Sequence, residues 1–311
     1  IVFFQHRPHV TKSVIKQIRK DFNFVRLIIA HNGFLIDADE FSETDIILCA
    51  FPSYLKNYKK KHNNVYLFYH YFNENITNKI SVKKKDIDIS FIGNSGYLLP
   101  NHYNRFYLLD FLLTNTNIKC WIDENHFFNN SIKNKIINLF KNIIFYQPSI
   151  LIKFEKYFHK IFSEVYEEKI ILKNLNELKV NYKLSEKFIN RCFKPVYGLN
   201  MYSILFRSKI SINSHMLKSN KEVGNMRLFE ATGAGSCVLT DDGNNLKDLF
   251  EINKEIITYK NKYDCIDKIK YFGKNFNEAN EIARNGRQKT LKNHTSKNRA
   301  DEINEIIIKN I

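Results

Sequence analysis

Short apolar runs alternate with amphipathic stretches from one end of the chain to the other. This alternation predicts buried parallel strands joined by helices, as in α/β proteins. In the first part of the chain, it predicts helices over residues 11–20 and 52–61. The strands predicted there cover residues 1–5, 24–30, 45–50 and 65–69.

A polar segment over residues 73–85, which ends in three consecutive lysines, interrupts this pattern, and we interpret it as a linker. The alternation then restarts. The strands predicted after the linker cover residues 88–92, 118–122, 143–146, 209–213, 237–240 and 256–259. The helices predicted in the same part cover residues 102–113, 131–141, 200–207, 225–232, 246–250, 264–271, 277–285 and 299–310. We therefore expect two successive Rossmann-like domains, residues 1–85 and 86–311.

The composition is that of a globular protein, since 44% of the residues are hydrophobic and 26% are charged. Collagen, coiled coils and wholly disordered chains are excluded. Lys and Arg number 48 against 32 Asp and Glu, and this net charge of +16 favours anionic partners such as nucleic acid, anionic lipid or phosphorylated small molecules. AT-rich codons produce the same surplus without any partner. The lysine runs 59–61 and 83–85 lack the interleaved aromatic residues of a single-strand platform, so nucleic acid is disfavoured.

The five cysteines are widely spaced and include no Cys-x-x-Cys pair. Free thiols without a disulfide framework indicate a reducing compartment, so we expect a cytoplasmic protein. No run approaches the roughly 18 apolar residues of a membrane span, and the first residues lack the layout of a signal peptide. The chain begins with Ile rather than Met, which is consistent with a trimmed chain or a piece of a longer protein.

Residues 221–240 contain the pattern with the most chemical content. Gly224 precedes Asn225, a favourable N-cap residue, so we expect a helix to begin there and a buried strand to follow it. A helix N-terminus at the carboxyl end of a parallel strand is where open α/β sheets bind phosphate. Arg227 adds a cation for that anion, and Glu230 lies on the same face, where it can accept hydrogen bonds from ribose hydroxyls. An ordinary surface helix with an Arg–Glu pair at i,i+3 explains the same spacing.

Several stretches resemble a known family. The spacing Glu-x7-Glu, which starts at Glu222, resembles the nucleotide-sugar signature of group 1 glycosyltransferases. Residues 225–233 (NMRLFEATG) with 238–241 (VLTD) resemble the branch that includes spore-maturation-type glycosyltransferases. The tail 293–299, with His-Thr and a later arginine, resembles the closing helix of that family, and residues 88–93 (DISFIG) resemble the first strand of its C-terminal domain.

The resemblance implies the GT-B fold, an α/β arrangement of two Rossmann-like domains that face a cleft, here with a short or truncated N-terminal domain. It also implies metal-independent transfer of a sugar from a nucleotide-sugar donor to an acceptor hydroxyl. Because the donor is a co-substrate, no cofactor is expected. The implied acceptor is a glycan or a lipid-linked molecule of bacterial surface glycan biosynthesis. For a peripheral enzyme at the inner face of the membrane, Lys12, Lys16, Arg19 and Lys20 on one side of the first predicted helix are the expected contact.

The same resemblance implies further donor-binding residues. Gly93 and Asn94 end the first strand of the predicted C-terminal domain and are expected at the nucleotide sugar. Arg207 and Lys209 resemble the basic pair that many of these enzymes place on the diphosphate, although charges that flank a strand are commonly solvated. Glu222 is expected to reach the donor group beyond the phosphates, as a catalytic residue.

Histidines are the candidates for a base that deprotonates the acceptor hydroxyl, because a neutral imidazole near pH 7 suits that step. His6 and His9 follow the first predicted strand, and His215 follows the strand that precedes residues 221–240. Half-exposed loop histidines are the alternative interpretation for all three.

Two acidic triplets, Asp37 with Asp39 and Asp86 with Asp88, are the candidates for binding a metal-bound diphosphate. Neither ends a predicted strand, as a cleft metal requires, so we interpret both as solvated loop carboxylates and expect no metal. The rival to an enzyme is a non-catalytic basic module that binds nucleic acid or an anionic membrane through its surplus charge. Specific binding of nucleoside diphosphates separates the two hypotheses.

Overall fold

The structure is a computed structural model, and it describes residues 1–5, 10–33, 36–81, 84–96, 102–122, 190–215 and 221–311. The helix predicted over 131–141 and the strand predicted over 143–146 lie outside these residues. Within the described part of the chain, no helix combines the length and the apolar character needed to cross a membrane.

The first sheet has four parallel strands in the order β1-β2-β3-β4. All residues of the two central strands are buried, which explains their continuous apolar runs. The elements of this part are β1 (Val2–Phe4), α1 (Lys12–Asp21), β2 (Ile28–Asn32), β3 (Ile46–Cys49), α2 (Pro52–Tyr58) and β4 (Val65–Leu67), with short 3-10 helices over Ala38–Phe41 and Glu74–Lys79.

The second sheet has six strands in the order β10-β9-β8-β5-β6-β7. The strand pairs β10–β9, β9–β8, β5–β6 and β6–β7 are parallel. The strands are β5 (Ile87–Gly93), β6 (Lys119–Ile122), β7 (Cys192–Phe193), β8 (Ser208–Asn213), β9 (Cys237–Asp241) and β10 (Ile257–Tyr259). The helices are α3 (Tyr103–Asn115), α4 (Gly198–Arg207), α5 (Met226–Gly233), α6 (Leu246–Leu249), α7 (Lys262–Lys274), α8 (Phe276–Asn293) and α9 (Ser296–Asn310).

The chain divides into two compact units. One unit combines Ile1–Asp88 with Gly198–Ile311, and the other is Ile89–Tyr197. The first unit therefore contains the whole four-stranded sheet together with β8, β9 and β10. The domain boundary at residue 85 stays a prediction.

Helix α9 packs on the first sheet although it ends the chain. Its Ile306 joins a buried cluster with Leu48 and Phe68, among other side chains of that sheet. The Glu74 carboxylate caps its start, because it accepts hydrogen bonds from the backbone N–H (3.0 Å) and the hydroxyl (2.7 Å) of Ser296. The first and last parts of the chain are thus held together within one unit.

Helix α8 is longer than the sequence pattern predicts. The predicted helix ends at residue 285, but the helix continues to Asn293. A Cβ atom at Gly286 would lie 2.2 Å from the carbonyl oxygen of Glu255, so the glycine permits a close approach between two segments. The glycine is a packing residue here and does not terminate the helix.

Candidate functional site

Helix α5 begins beside the carboxyl end of β8. Asn225 is its N-cap, and the side-chain oxygen of Asn225 accepts a hydrogen bond from the Leu228 backbone N–H (3.1 Å). The Asn225 amide also exchanges two hydrogen bonds with the amide of Asn213, the last residue of β8 (3.0 and 3.1 Å). This reciprocal pair fixes the positive N-terminal end of the helix at the edge of the sheet where α/β proteins bind phosphate.

Side chains outside the loop over residues 221–225 form hydrogen bonds with its backbone. Val223 donates its N–H to the Asn245 side-chain oxygen (2.7 Å) and accepts at its carbonyl from the Asn245 amide (2.9 Å). Gly224 has φ +135°, and a Cβ atom there would lie 3.2 Å from the ring of Tyr69. The loop therefore requires glycine at this position for both conformation and space.

His215, which is buried, and Asp241, which is half-buried, form a pair directly beside this loop. The Asp241 carboxylate accepts from the backbone N–H (2.9 Å) and from Nδ1 of His215 (2.6 Å). The Gly224 N–H donates to His215 Nε2 (3.2 Å). Because a backbone N–H can only donate, Nε2 is the acceptor and the proton is on Nδ1. Both ring nitrogens are thus engaged within the protein, so His215 holds the loop, and the base role predicted for it from the sequence stays a prediction.

The ionised state of Asp241 is part of this arrangement. Burial opposes ionisation, but the electrostatic attraction of the His215 Nδ1–H group and the hydrogen bonds from His215 and Thr240 hold the pKa of the Asp241 carboxyl below its usual value. An ionised Asp241 keeps the His215 proton on Nδ1, which leaves Nε2 as the acceptor for the loop.

Arg227 and Glu230 form an ion pair with Nη1 and Oε2 2.8 Å apart, one turn into α5. Glu230 is only 5% exposed, and it also accepts a hydrogen bond from the hydroxyl of Tyr202 (3.3 Å). Burial raises the pKa of Glu230, while the Arg227 charge and the Tyr202 hydroxyl lower it. The alternative of a surface Arg–Glu pair therefore fails on burial, because this carboxylate lies inside the protein beside the helix start.

Glu222 lies in the same loop, but it contacts the first sheet's helix α2. Its carboxylate accepts from the Ser53 backbone N–H (2.9 and 3.1 Å) and from the Ser53 hydroxyl (2.6 Å). The two residues are 169 positions apart in the sequence. The structure brings Glu222 together with Gly224, Asn225 and the start of α2.

Arg207 and Lys209 lie at the opposite end of β8, at its amino end. Arg207 forms a two-point ion pair with Asp86 (2.7 and 2.6 Å), and Lys209 pairs with Asp88 (2.6 Å). At the rise of a β-strand, Lys209 and Arg207 lie about 13 and 20 Å from the carboxyl end of β8. The structure does not bring this pair to Asn225 and Arg227, so we leave both residues out of the proposed diphosphate site.

The other predicted residues have different surroundings. Gly93 ends β5, and Asn94 forms a tight turn after it, since its side-chain oxygen accepts from the Gly96 N–H (2.6 Å) and its carbonyl accepts from Arg105 (3.1 Å). These residues belong to the second unit from Ile89 onward, and their role stays a prediction. His6 and His9 lie outside the described residues.

The acidic triplets have structural partners. The Asp37 side chain caps the 3-10 helix Ala38–Phe41, and Asp39 pairs with Lys61 (2.8 Å) on the surface. Asp86 and Asp88 are in the ion pairs described above. Among the residues that the structure describes, no group of three His, Cys, Asp or Glu side chains could hold a metal ion.

Sequence reasoning missed Ser53, Tyr202, Asn213, Asp241 and Asn245. A signal was available for two of them, because Asn213 and Asp241 are the polar last residues of apolar strands. That position faces the ligand edge of a parallel sheet. No local pattern marked Ser53 or Tyr202.

Comparisons with known proteins address the fold and part of the sequence. The sequence model of the family described as "Glycosyl transferase-like" matches residues 170–305. A search of curated proteins finds no significant match. Among solved structures, HepE from Anabaena in complex with UDP-glucose has a TM-score of 0.57 at 10% identity, with 96% of this chain and 77% of that chain covered. The chain has the GT-B fold.

Two further structures support this assignment. Sucrose-phosphate synthase from Thermosynechococcus elongatus has a TM-score of 0.56 at 11% identity, and the match covers 96% of this chain and 71% of that chain. An alpha-glucosyltransferase in complex with UDP-glucose and DNA has a TM-score of 0.56 at 12% identity, with 96% and 77% covered. The predicted α/β class and GT-B fold are confirmed, and the spore-maturation-type branch stays a prediction.

Proposed function

We propose that this GT-B protein transfers a sugar from a nucleotide-sugar donor to an acceptor hydroxyl. The observation that carries the proposal is the start of α5 at the carboxyl edge of β8, where Arg227 pairs with the buried Glu230, inside the segment that the glycosyl transferase-like family matches. HepE, a structure with the same fold, was solved with UDP-glucose.

Each group at this site has a task in the proposed reaction. The sugar–phosphate bond breaks while negative charge develops on the nucleoside diphosphate, and the N-terminus of α5 stabilises that charge. A guanidinium carries five N–H donors, so Arg227 can bind Glu230 and a phosphate oxygen together. Glu230 accepts from the ribose hydroxyls, and Glu222 accepts from hydroxyls of the sugar. Removal of one preorganised donor to the developing negative charge, such as Arg227, typically lowers the rate by about 10²–10³-fold.

We also propose that transfer is metal-independent. The helix end and Arg227 supply the positive charge that a metal ion supplies in other transferases. The acidic triplets that a metal would use serve instead as a cap and as partners of Lys61, Arg207 and Lys209.

The proposed acceptor is a lipid-linked or surface glycan, reached at an anionic membrane face. Helix α1 exposes Lys12, Lys16 and Lys20 to solvent, which supports electrostatic association. Arg19, expected on the same face, is half-buried, and it donates to Asp45 (2.7 Å) and to the Glu43 carbonyl. Three cations of this helix are therefore exposed for the membrane, one fewer than the sequence predicts.

The test of the function is binding of a panel of UDP, GDP and ADP by calorimetry and thermal shift. A diphosphate at 100 times its Kd stabilises the native protein by about 2.7 kcal/mol. Glu230→Gln keeps the shape of the side chain but loses charge-assisted hydrogen bonds worth about 1.5–3 kcal/mol each, so its affinity should fall at least about tenfold.

Glu302→Gln is the matched control, because Glu302 pairs with Arg299 at the same i,i+3 spacing on α9. It should bind nucleotide as the unmodified chain does. The proposed function is overturned when no diphosphate of the panel binds, and the ribose assignment is overturned when Glu230→Gln binds with unchanged affinity.

A further inference from the structure

The contact between Glu222 and Ser53 joins the loop over residues 221–225 to helix α2. Glu222 is 8% exposed, and both of its oxygens accept from Ser53. The hydroxyl of Ser53 is 2.6 Å from Oε2, the short distance that is typical of an O–H donor to a carboxylate. One serine thus supplies a main-chain and a side-chain donor to the same carboxylate.

Helix α2 depends on this contact for its own start. Its N-cap residue is Phe51, which has no side-chain acceptor, and Pro52 follows at the first helical position. The N–H of Ser53 is therefore one of the donors that a helix start leaves without an intrahelical partner. Glu222 supplies the missing acceptor from another part of the chain, and its negative charge suits the positive end of a helix.

The backbone on the other side of Glu222 is fixed as well. The carbonyl of Lys221 accepts from the Asn244 N–H (2.8 Å), and Val223 is held by Asn245. Asn244 and Asn245 hold the backbone on both sides of Glu222, and Ser53 holds its carboxylate. The Glu222 side chain is therefore constrained at both ends.

We propose that Ser53 is a positioning residue that orients the Glu222 carboxylate for the donor sugar. The inference rests on the proposed function, in which Glu222 accepts hydrogen bonds from sugar hydroxyls. A carboxylate whose rotamer and plane are already fixed loses less conformational freedom on binding, so each hydrogen bond to the sugar gains in strength. Ser53 acts through Glu222 and contributes to recognition of the sugar, not of the nucleotide.

The test compares nucleotide and nucleotide-sugar binding in the same variants. Calorimetry uses whichever pair binds best to the unmodified chain among UDP with UDP-glucose, GDP with GDP-mannose and ADP with ADP-glucose. Ser53→Ala removes the hydroxyl and keeps the backbone donor, and we expect about tenfold weaker binding of the nucleotide sugar, which equals about 1.4 kcal/mol. Binding of the diphosphate alone should not change. Ser53→Thr keeps the hydroxyl and should restore nucleotide-sugar affinity.

The structure offers a matched control at the start of α9. Ser296 donates its N–H (3.0 Å) and its hydroxyl (2.7 Å) to Glu74, the same arrangement as Ser53 with Glu222. Ser296→Ala should reduce thermal stability to a similar extent as Ser53→Ala and leave nucleotide-sugar affinity unchanged. A purely structural role of Ser53 predicts equal behaviour of the two variants, and that result would overturn the inference.

A second measurement shows whether the effect passes through Glu222. In the Glu222→Gln background, Ser53→Ala should change nucleotide-sugar affinity by less than about twofold, because the carboxylate that it orients is gone. An unchanged tenfold effect would overturn the positioning role. If no diphosphate binds to the unmodified chain, the proposed function fails and this inference with it, whereas normal diphosphate binding with an unaffected Ser53→Ala refutes the inference alone.

Discussion

Asp241→Asn reverses hydrogen-bonding roles beside loop 221–225 with almost no change in size. The native carboxylate accepts from His215 Nδ1–H (2.6 Å) and from the His215 backbone N–H (2.9 Å). An Asn side chain presents an NH₂ group that donates to Nδ1, which moves the ring proton to Nε2. Nε2–H and the Gly224 N–H are then two donors that face each other, so the hydrogen bond between Gly224 and His215 that holds the loop is lost.

Two contributions set the expected loss in the free energy of unfolding. Hydrogen bonds to the charged carboxylate contribute about 1.5–3 kcal/mol, and an unpaired Gly224 N–H costs about 1–3 kcal/mol. The Asp241 side chain is 31% exposed, so water compensates part of the first contribution. We therefore expect a net loss of about 2–3 kcal/mol, which lowers Tm by about 3–5 °C for a chain of 311 residues.

Urea unfolding and nucleoside diphosphate titration measure the two consequences separately. The control is Asp264→Asn, because Asp264 is 27% exposed, accepts from the Lys260 N–H (2.8 Å) and pairs with Lys268 (3.3 Å) at the start of α7. Both variants should be less stable than the unmodified chain. Only Asp241→Asn should also weaken diphosphate binding, by about tenfold, since only it disturbs the loop that precedes α5.

The pH dependence gives an independent check of the same pair. The pKa of Asp241 lies below its usual value of 3.8, although burial acts against this, because His215 favours the ionised form. The native state therefore binds fewer protons than the unfolded state in this range, and the stabilisation is complete above about pH 5 and is lost as pH falls below 3.8 and through the lower pKa of the native carboxyl. The stability gap between the unmodified chain and Asp241→Asn should narrow below about pH 4. A constant gap, or full diphosphate affinity in the variant, would refute the reasoning.

Three further predictions concern the metal, the membrane and the packing of α8. Transfer activity should survive treatment with a chelator, and a strict requirement for Mn²⁺ or Mg²⁺ would refute metal independence. Anionic liposomes should sediment the protein at low salt and release it at high salt, and Lys16→Glu with Lys20→Glu should weaken this binding while neutral liposomes bind neither form. Gly286→Ala should destabilise the protein by about 1–3 kcal/mol in thermal unfolding, despite the higher helix propensity of Ala, because the added methyl meets a backbone carbonyl.

The start of α5 was predictable because its signals are local. An N-cap residue, an amphipathic stretch and a following apolar strand all lie within about twenty consecutive residues, and the helix begins at Met226 after Asn225 as expected. The apolar runs likewise predicted the described strands except β7, with ends that differ by a few residues. Such features depend on neighbours in the sequence, so periodicity and capping rules suffice for them.

The contacts that shape the site were not predictable in this way, because they join distant residues. Ser53 meets Glu222 across 169 positions, and Arg207 meets Asp86 across 121. For Arg207, the sequence contained a warning, since a residue that precedes a strand lies at its amino end, away from the ligand edge. For Ser53, no pattern existed, because its importance follows from a helix that lacks its own cap.

The loop over residues 221–225 is held from three sides, by His215, Asn245 and Ser53. His215 and Asn245 follow strands β8 and β9 of the second sheet, whereas Ser53 follows β3 of the first sheet. Helix α9 packs on that same sheet, so the position of Ser53 depends on the last helix of the chain. A loop of five residues is thus coupled to packing at both ends of the sequence. Substitutions in α9 that loosen its apolar contacts should therefore weaken the proposed nucleotide-sugar binding through the first sheet, without touching the site itself.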